Sequence, residues 1–139
     1  MDENSCAGES NVATEHLLTS KPENLRWGAF SSEFEPVLEV ESGDRVTIET
    51  ISGGPDQLPD GARENLLPDH EAFIASNKPI LPGHIMTGPV AVKGAEPGDV
   101  LEVRIIDVKL RQDWAWNMMM PLKGALPEDF PVRRVINIP

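Results

Sequence analysis

The order of apolar and polar positions along the chain is dominated by a unit that occurs twice. The first copy runs Pro36-Val-Leu-Glu-Val40, then Glu41-Ser42-Gly43-Asp44, then Arg45-Val-Thr-Ile-Glu-Thr50. The second runs Pro89-Val-Ala-Val-Lys93, then Glu96-Pro97-Gly98-Asp99, then Val100 to Val108. In each, a short apolar segment leads into a turn ending Gly-Asp and then into an alternating strand. Gly43 and Gly98 fall at the third position of their turns, where a type II turn needs a positive φ, and Pro97 suits the position before. Past the first turn Val46 and Ile48 face one way and Arg45, Thr47 and Glu49 the other. Past the second, Leu101, Val103 and Ile105 share a face with Glu102 and Arg104 opposite. The parity slips at Ile105-Ile106, which points to a bulge or to a strand buried on both faces. Two copies are too few for a repeat array and fit two related corners of one barrel or sandwich.

The remaining elements follow from the same pattern. Glu15 to Leu18 predicts a first strand, and Trp27 and Phe30 are expected as the first core anchors. Residues 51 to 88 form a long irregular stretch, in which Asp69 is placed to cap one helical turn through His70-Glu-Ala-Phe-Ile74 before Pro79 forbids continuation. A loop of that length in a compact domain is usually functional or an interface. Residues 132 to 138 predict a last strand. The polar, acidic residues 1–13 read as a disordered leader, leaving 14–139 as a single β-rich domain. The expected fold is mostly β, a barrel or sandwich-like domain built from hairpins with long irregular loops and little helix. The 13 prolines and 11 glycines agree, since both interrupt helices.

Charge narrows the partners. Twelve Lys and Arg stand against 23 Asp and Glu, a net charge of −11 that repels phosphate backbones and anionic lipid and so excludes nucleic acid and membrane surfaces. The first twenty residues hold no Lys or Arg and no long apolar run, so nothing resembles a secretion signal and the cytoplasm is the expected compartment. The single cysteine, Cys6, excludes an internal disulfide and any multi-cysteine metal site, and nothing beside it would lower its pKa. No Gly-x-Ser-x-Gly elbow, glycine-rich phosphate loop or His-Glu-x-x-His helix occurs.

The run Gly83-His84-Ile85-Met86-Thr87-Gly88-Pro89-Val90, continued by Gly94-Ala95-Glu96-Pro97-Gly98-Asp99-Val-Leu-Glu-Val-Arg-Ile-Ile-Asp107-Val, resembles the acetamidase/formamidase family. Pro36 to Asp44, with Glu49-Thr50 and Gly53-Gly54, is similar to that family's first hairpin, and the resemblance covers about 15 to 139. It implies a mostly-β hydrolase that cleaves formamide, acetamide or similar short linear amides to ammonia and the acid. It also implies a divalent metal, Zn or Ca. Family members are longer, and a later His-Gly-Asp-Gly-Glu-like segment associated with the metal and catalytic centre has no counterpart here. The resemblance therefore implies a truncated member, a fragment or one half of a split enzyme. The expected partners are the amide substrate and either further copies of the chain or a missing carboxy-terminal half.

Amide hydrolysis needs an activated water or nucleophile, a proton for the leaving ammonia, and donors for the developing oxyanion. His84, set among Gly83, Thr87 and Gly88, is the candidate catalytic and metal-ligating histidine, or else a loop histidine bonded to a neighbouring carbonyl. Glu49 is the candidate general base or metal ligand, or else a solvated strand residue. Thr87, Gly88, Gly53 and Gly54 are candidate substrate-binding positions; the glycine pair is either a donor loop or a flexible turn. Trp114, Trp116 and Asn117 either wall a small pocket or form core or interface. Asp69 and His70 are a weaker metal pair, and His16 is structural or exposed. Asp107 and Asp113, flanking Lys109 and Arg111, are expected in local ion pairs. The Trp/Met cluster and the apolar end of the chain predict self-association.

Overall fold

A computed structural model describes residues 13–139. Cys6 and all but the last residue of the expected leader lie outside the described residues. Among the described residues the regular structure is eight short strands, one α-helix and two short 3-10 turns (Pro22–Asn24 and Ala62–Asn65): β1 (Glu15–Leu18), β2 (Leu25–Trp27), β3 (Leu38–Val40), β4 (Arg45–Ile48), α1 (Pro68–Ser76), β5 (Ile85–Thr87), β6 (Val90–Val92), β7 (Ala115–Met119) and β8 (Arg134–Ile138). The fold is mostly β with little helix and long irregular connections. The sheets are small, four two-stranded pairs, with no closed barrel among the described residues.

None of the pairs joins sequence neighbours through a tight turn. β1 lies parallel to β4, β3 parallel to β6, β2 antiparallel to β5 and β7 antiparallel to β8. The expected first hairpin is therefore corrected: β3 and β4 leave their shared turn in different sheets. The turn itself forms as read, with Gly43 at φ 96° and Gly98 at φ 108°. In both copies the aspartate closes the turn. Asp44 Oδ2 accepts from the Glu41 N–H at 2.9 Å, and Asp99 Oδ2 accepts from the Glu96 N–H at 2.9 Å. The two copies meet along β3 and β6, Leu38 opposite Val90 and Val40 opposite Val92, and Lys93 bonds Glu41 at 3.0 Å.

The strand expected over Val100–Val108 has no ladder among the described residues. Its apolar side chains stand exposed. A β-strand needs a neighbour for its N–H and C=O groups, and a segment apolar on both faces needs cover on both.

The core gathers Leu25, Trp27, Ile51 and Phe73, with Leu67, Ile74 and Ile85 packed against it. Trp27 and Phe73 meet as tilted rings with centroids 5.7 Å apart. Phe30, expected beside Trp27, is instead 92% exposed. It lies beyond Gly28, whose left-handed backbone turns the chain out of β2. The helix is longer than the single turn expected, and Asp69 does not cap it. Pro68 takes the first helical position, where its missing N–H costs nothing, and Leu67 precedes it in extended conformation. Asp69 and Glu71 sit in the first turn, where carboxylates suit the helix dipole.

Candidate functional site

The ends of β1 and β4, the start of α1 and the segment after Leu110 converge on one cluster of charged and polar groups. Ser20, just past β1, is completely buried. Its hydroxyl donates to Asp69 Oδ2 and accepts from Arg111 Nη1 at 2.6 Å. Arg111 Nη2 reaches Asp69 Oδ2 at 3.1 Å and Glu49 Oε2 at 3.6 Å. The Ser20 N–H also donates to Glu49 Oε2, at 3.2 Å. One guanidinium is thus shared by two carboxylates and a hydroxyl, an arrangement suited to its planar fork of donors. Desolvation raises the Asp69 carboxyl, but the hydrogen bonds from Ser20 and Arg111 outweigh it and hold the group below the ordinary range.

Arg111 therefore serves distant partners rather than its sequence neighbours Asp107 and Asp113, which corrects the local ion pair expected for it. Lys109 keeps the local arrangement, 3.5 Å from Asp107. The cluster borders a broad, open hollow of about 540 Å³ lined by Leu110, Arg111, Gln112 and Asp113. Nothing in the local sequence marks Ser20 or the Ser20–Asp69–Arg111 triangle; its members are 42 to 91 residues apart.

Of the residues singled out by sequence, the structure brings Glu49 and Thr87 together: the Thr87 hydroxyl donates to the Glu49 carbonyl at 2.7 Å. His84 is exposed, at the edge of β5, and its carbonyl accepts from the Gly28 N–H at 3.0 Å. Thr87 lies three positions further along, about 10 Å at the usual rise, and no bond joins the His84 side chain to Glu49 among the described residues. Gly88 is buried, its N–H donating to the Asn24 carbonyl at 2.8 Å.

Gly53 and Gly54 are buried where rings pass close. A methyl on Gly53 would stand 2.9 Å from Trp116 Cζ2, and one on Gly54 2.8 Å from Trp27 Cζ2. The Gly54 N–H donates to Gln57 Oε1 at 3.0 Å, and the Gly53 carbonyl lies 2.8 Å from His70 Nε2. A carbonyl only accepts, so Nε2 of this buried histidine carries the proton. Trp116 packs over Gly53, Trp114 donates to the Asn65 carbonyl at 3.3 Å, and Asn117 is exposed on β7.

Across the fold, His16 Nε2 meets Asp44 Oδ2 at 2.9 Å. Asp44 also accepts from the Thr14 N–H, at 2.9 Å to Oδ1. Donation from Glu41, His16 and Thr14, in that order of weight, pulls its carboxyl down to about 2. Among the described residues no three His, Cys, Asp or Glu side chains gather as a metal cage. Nor does any described helix have the length and apolarity to cross a membrane.

A mostly-β domain carrying a half-buried carboxylate–arginine cluster, bonded through Glu49 to the Thr-Gly-Pro-Val junction of β5 and β6, is the class these features define. The chain belongs to the acetamidase/formamidase family, which it matches over residues 14–131. It is 33% identical over 97 residues to a Schizosaccharomyces pombe protein provisionally named a formamidase, an alignment covering 66% of this chain and 22% of that protein. It is 40% identical over 53 residues to the formamidase of Methylophilus methylotrophus, covering 34% of this chain and 13% of the relative. The chain thus spans about a fifth or less of the curated relatives it matches. No solved structure matches it.

Proposed function

We propose that this chain supplies part of the active site of a hydrolase of short linear amides, formamide and acetamide among them, releasing ammonia and the carboxylic acid. The observation that carries this reading is the family match over residues 14–131, which includes both Gly-Asp turns and the whole carboxylate cluster. Glu49 is the general base in this reading. Its Oε2 is engaged by the Ser20 N–H and Arg111, which fixes the carboxylate and leaves Oε1 to take a proton from water. Thr87 holds the Glu49 backbone in place, and His84, exposed at the edge of β5, is assigned the proton for the leaving ammonia, a role that requires its loop to move towards Glu49. Trp114, Asn117, the glycine pair 53–54 and Thr87-Gly88 flank the region where a small amide would be received; among these, the Gly54 and Gly88 N–H groups are engaged within the fold.

The described residues do not by themselves fit a divalent metal, since no three ligand side chains converge and His84 makes no bond to a carboxylate. Zn²⁺ or Ca²⁺ enters the proposal only as a component whose further ligands lie outside those residues. Ammonia release from formamide and acetamide tests the reading, with Zn²⁺ added or withheld and with the remaining length of a family relative supplied. Release that Glu49→Gln lowers by about two to four orders of magnitude is expected for a lost general base. Release untouched by Glu49→Gln would remove that residue from the chemistry. No release under any of these conditions would favour the second reading, a β-domain for binding or assembly, to which the exposed stretch after Asp99 lends weight.

A further inference from the structure

The two copies of the repeated unit are built alike up to their aspartates and then differ in one respect. In the first, the strand leaving Asp44 is covered by β1, parallel and in register from Glu15 opposite Arg45 to Leu18 opposite Ile48. Three bonds set that register. The Thr14 N–H donates to Asp44 Oδ1, the Arg45 N–H donates to the Thr14 carbonyl at 2.9 Å, and the Glu49 N–H donates to the Leu18 carbonyl at 2.9 Å. In the second, the strand leaving Asp99 has no neighbour among the described residues, and no backbone N–H there is seated on Asp99 Oδ1. From Val100 to Leu110 every Val, Leu and Ile is at least 72% exposed.

We infer that Val100–Arg104 is a docking edge for a parallel strand, held in the register that β1 holds on β4. Superposing the two turns makes Val100 the counterpart of Arg45 and Arg104 the counterpart of Glu49. The incoming strand thus donates one N–H to Asp99 Oδ1 and accepts from the N–H groups of Val100 and Arg104. Leu101 and Val103, continued by Ile105, make one face of the receiving segment apolar while Glu102 and Arg104 pair on the other, so the arriving polypeptide brings apolar cover for the first face and leaves the ion pair to solvent.

The occupant is a segment of the family's remaining length, not a second copy of this chain. The chain spans only 22% and 13% of the two relatives it matches, so each possesses a long stretch with no counterpart here. Symmetry also disfavours a self-pair. Identical strands related by a twofold axis pair antiparallel, because in a parallel ladder the two opposed residues play different bonding roles. The inference rests on the proposed function only in taking the family's complement as partner; the edge and its register come from the repeat.

The test is co-expression of this chain with the part of the Schizosaccharomyces pombe relative outside the matched 97 residues, read by sizing chromatography with light scattering and by amide hydrogen exchange. A one-to-one complex is expected, with the Val100 and Arg104 amides newly protected. Val103→Lys should weaken it by about tenfold or more, as a charge at a buried contact does. The β1–β4 amides of that variant should exchange as in the parent, showing that its fold is intact. Absence of a complex, a complex that leaves Val100 and Arg104 unprotected, or a homodimer that protects them would each overturn the inference. Ammonia release separates it from the functional reading. A protected complex without amidase activity sinks the amide proposal alone, and activity without protection sinks the docking edge alone.

Discussion

Phe73 is the side chain on which the core turns, 1% exposed and ring-to-ring with Trp27. Phe73→Ala should cost about 3–5 kcal/mol, measured as a lower urea midpoint, because the ring's burial is lost and a cavity remains. Gly28 is constrained from two directions: its φ is +84°, and an added methyl would lie 1.7 Å from the Leu81 carbonyl oxygen. Gly28→Ala should therefore destabilise by about 1–3 kcal/mol or more and displace the loop that carries His84. Asp44 makes a pH signature. Its carboxyl titrates near 2 in the fold against 3.8 ordinarily, so the folded chain binds fewer protons than the unfolded one. The stabilisation is complete above the ordinary value and is lost as pH falls toward 2. Thermal midpoints from pH 6 to pH 2 should fall less steeply for Asp44→Asn than for the parent, from a lower starting point. Of these residues the sequence marked Asp44 through its Gly-Asp turn and Trp27 through its size. The burial of Phe73 depends on which face α1 turns inward, and four apolar residues in a nine-residue helix do not settle that.

Local elements were legible where the chemistry is local. The first strand expected at Glu15–Leu18 is found there, and both turns took the positive φ that their glycines suggest. What local order could not carry was pairing. No ladder is closed by a tight turn, three of the four join strands that are not successive, and a parallel pair leaves no turn to announce it. The same limit hid the cluster around Arg111. Its sequence neighbours offer two aspartates, but Asp69 and Glu49 are fixed beside a buried hydroxyl, so the distant partners win. The cluster joins β1, β4, α1 and the end of the exposed stretch, so removing its cation should loosen all four together. Arg111→Met is expected to cost about 1–3 kcal/mol through the buried Ser20 and half-buried carboxylates left unsatisfied. Its penalty should shrink in acid, because the Asp69 carboxyl, held low by Ser20 and Arg111, contributes stability that disappears as it protonates. Denaturant titrations at neutral pH and in acid check both.

At the scale of the whole molecule, a net charge of −11 coexists with a concentrated apolar surface between Val100 and Leu110. Exposed apolar side chains gathered in one stretch drive association unless they are covered. The isolated chain should bind an apolar dye strongly, and Ile105→Lys should reduce that binding without lowering the thermal midpoint, since the side chain is exposed. A midpoint that falls with the substitution would mean that the segment already packs within the chain. The anchoring of this segment has a further consequence. Its amino-terminal end is pinned at the Asp99 turn and its far end by Arg111, so much of the disorder it could otherwise explore is removed before any neighbour arrives. A tethered receiver surrenders less entropy on capture than a free one, and encounter converts more readily into a bound pair. Arg111, which touches none of the residues expected to form that ladder, thereby lowers the ordering cost of forming it.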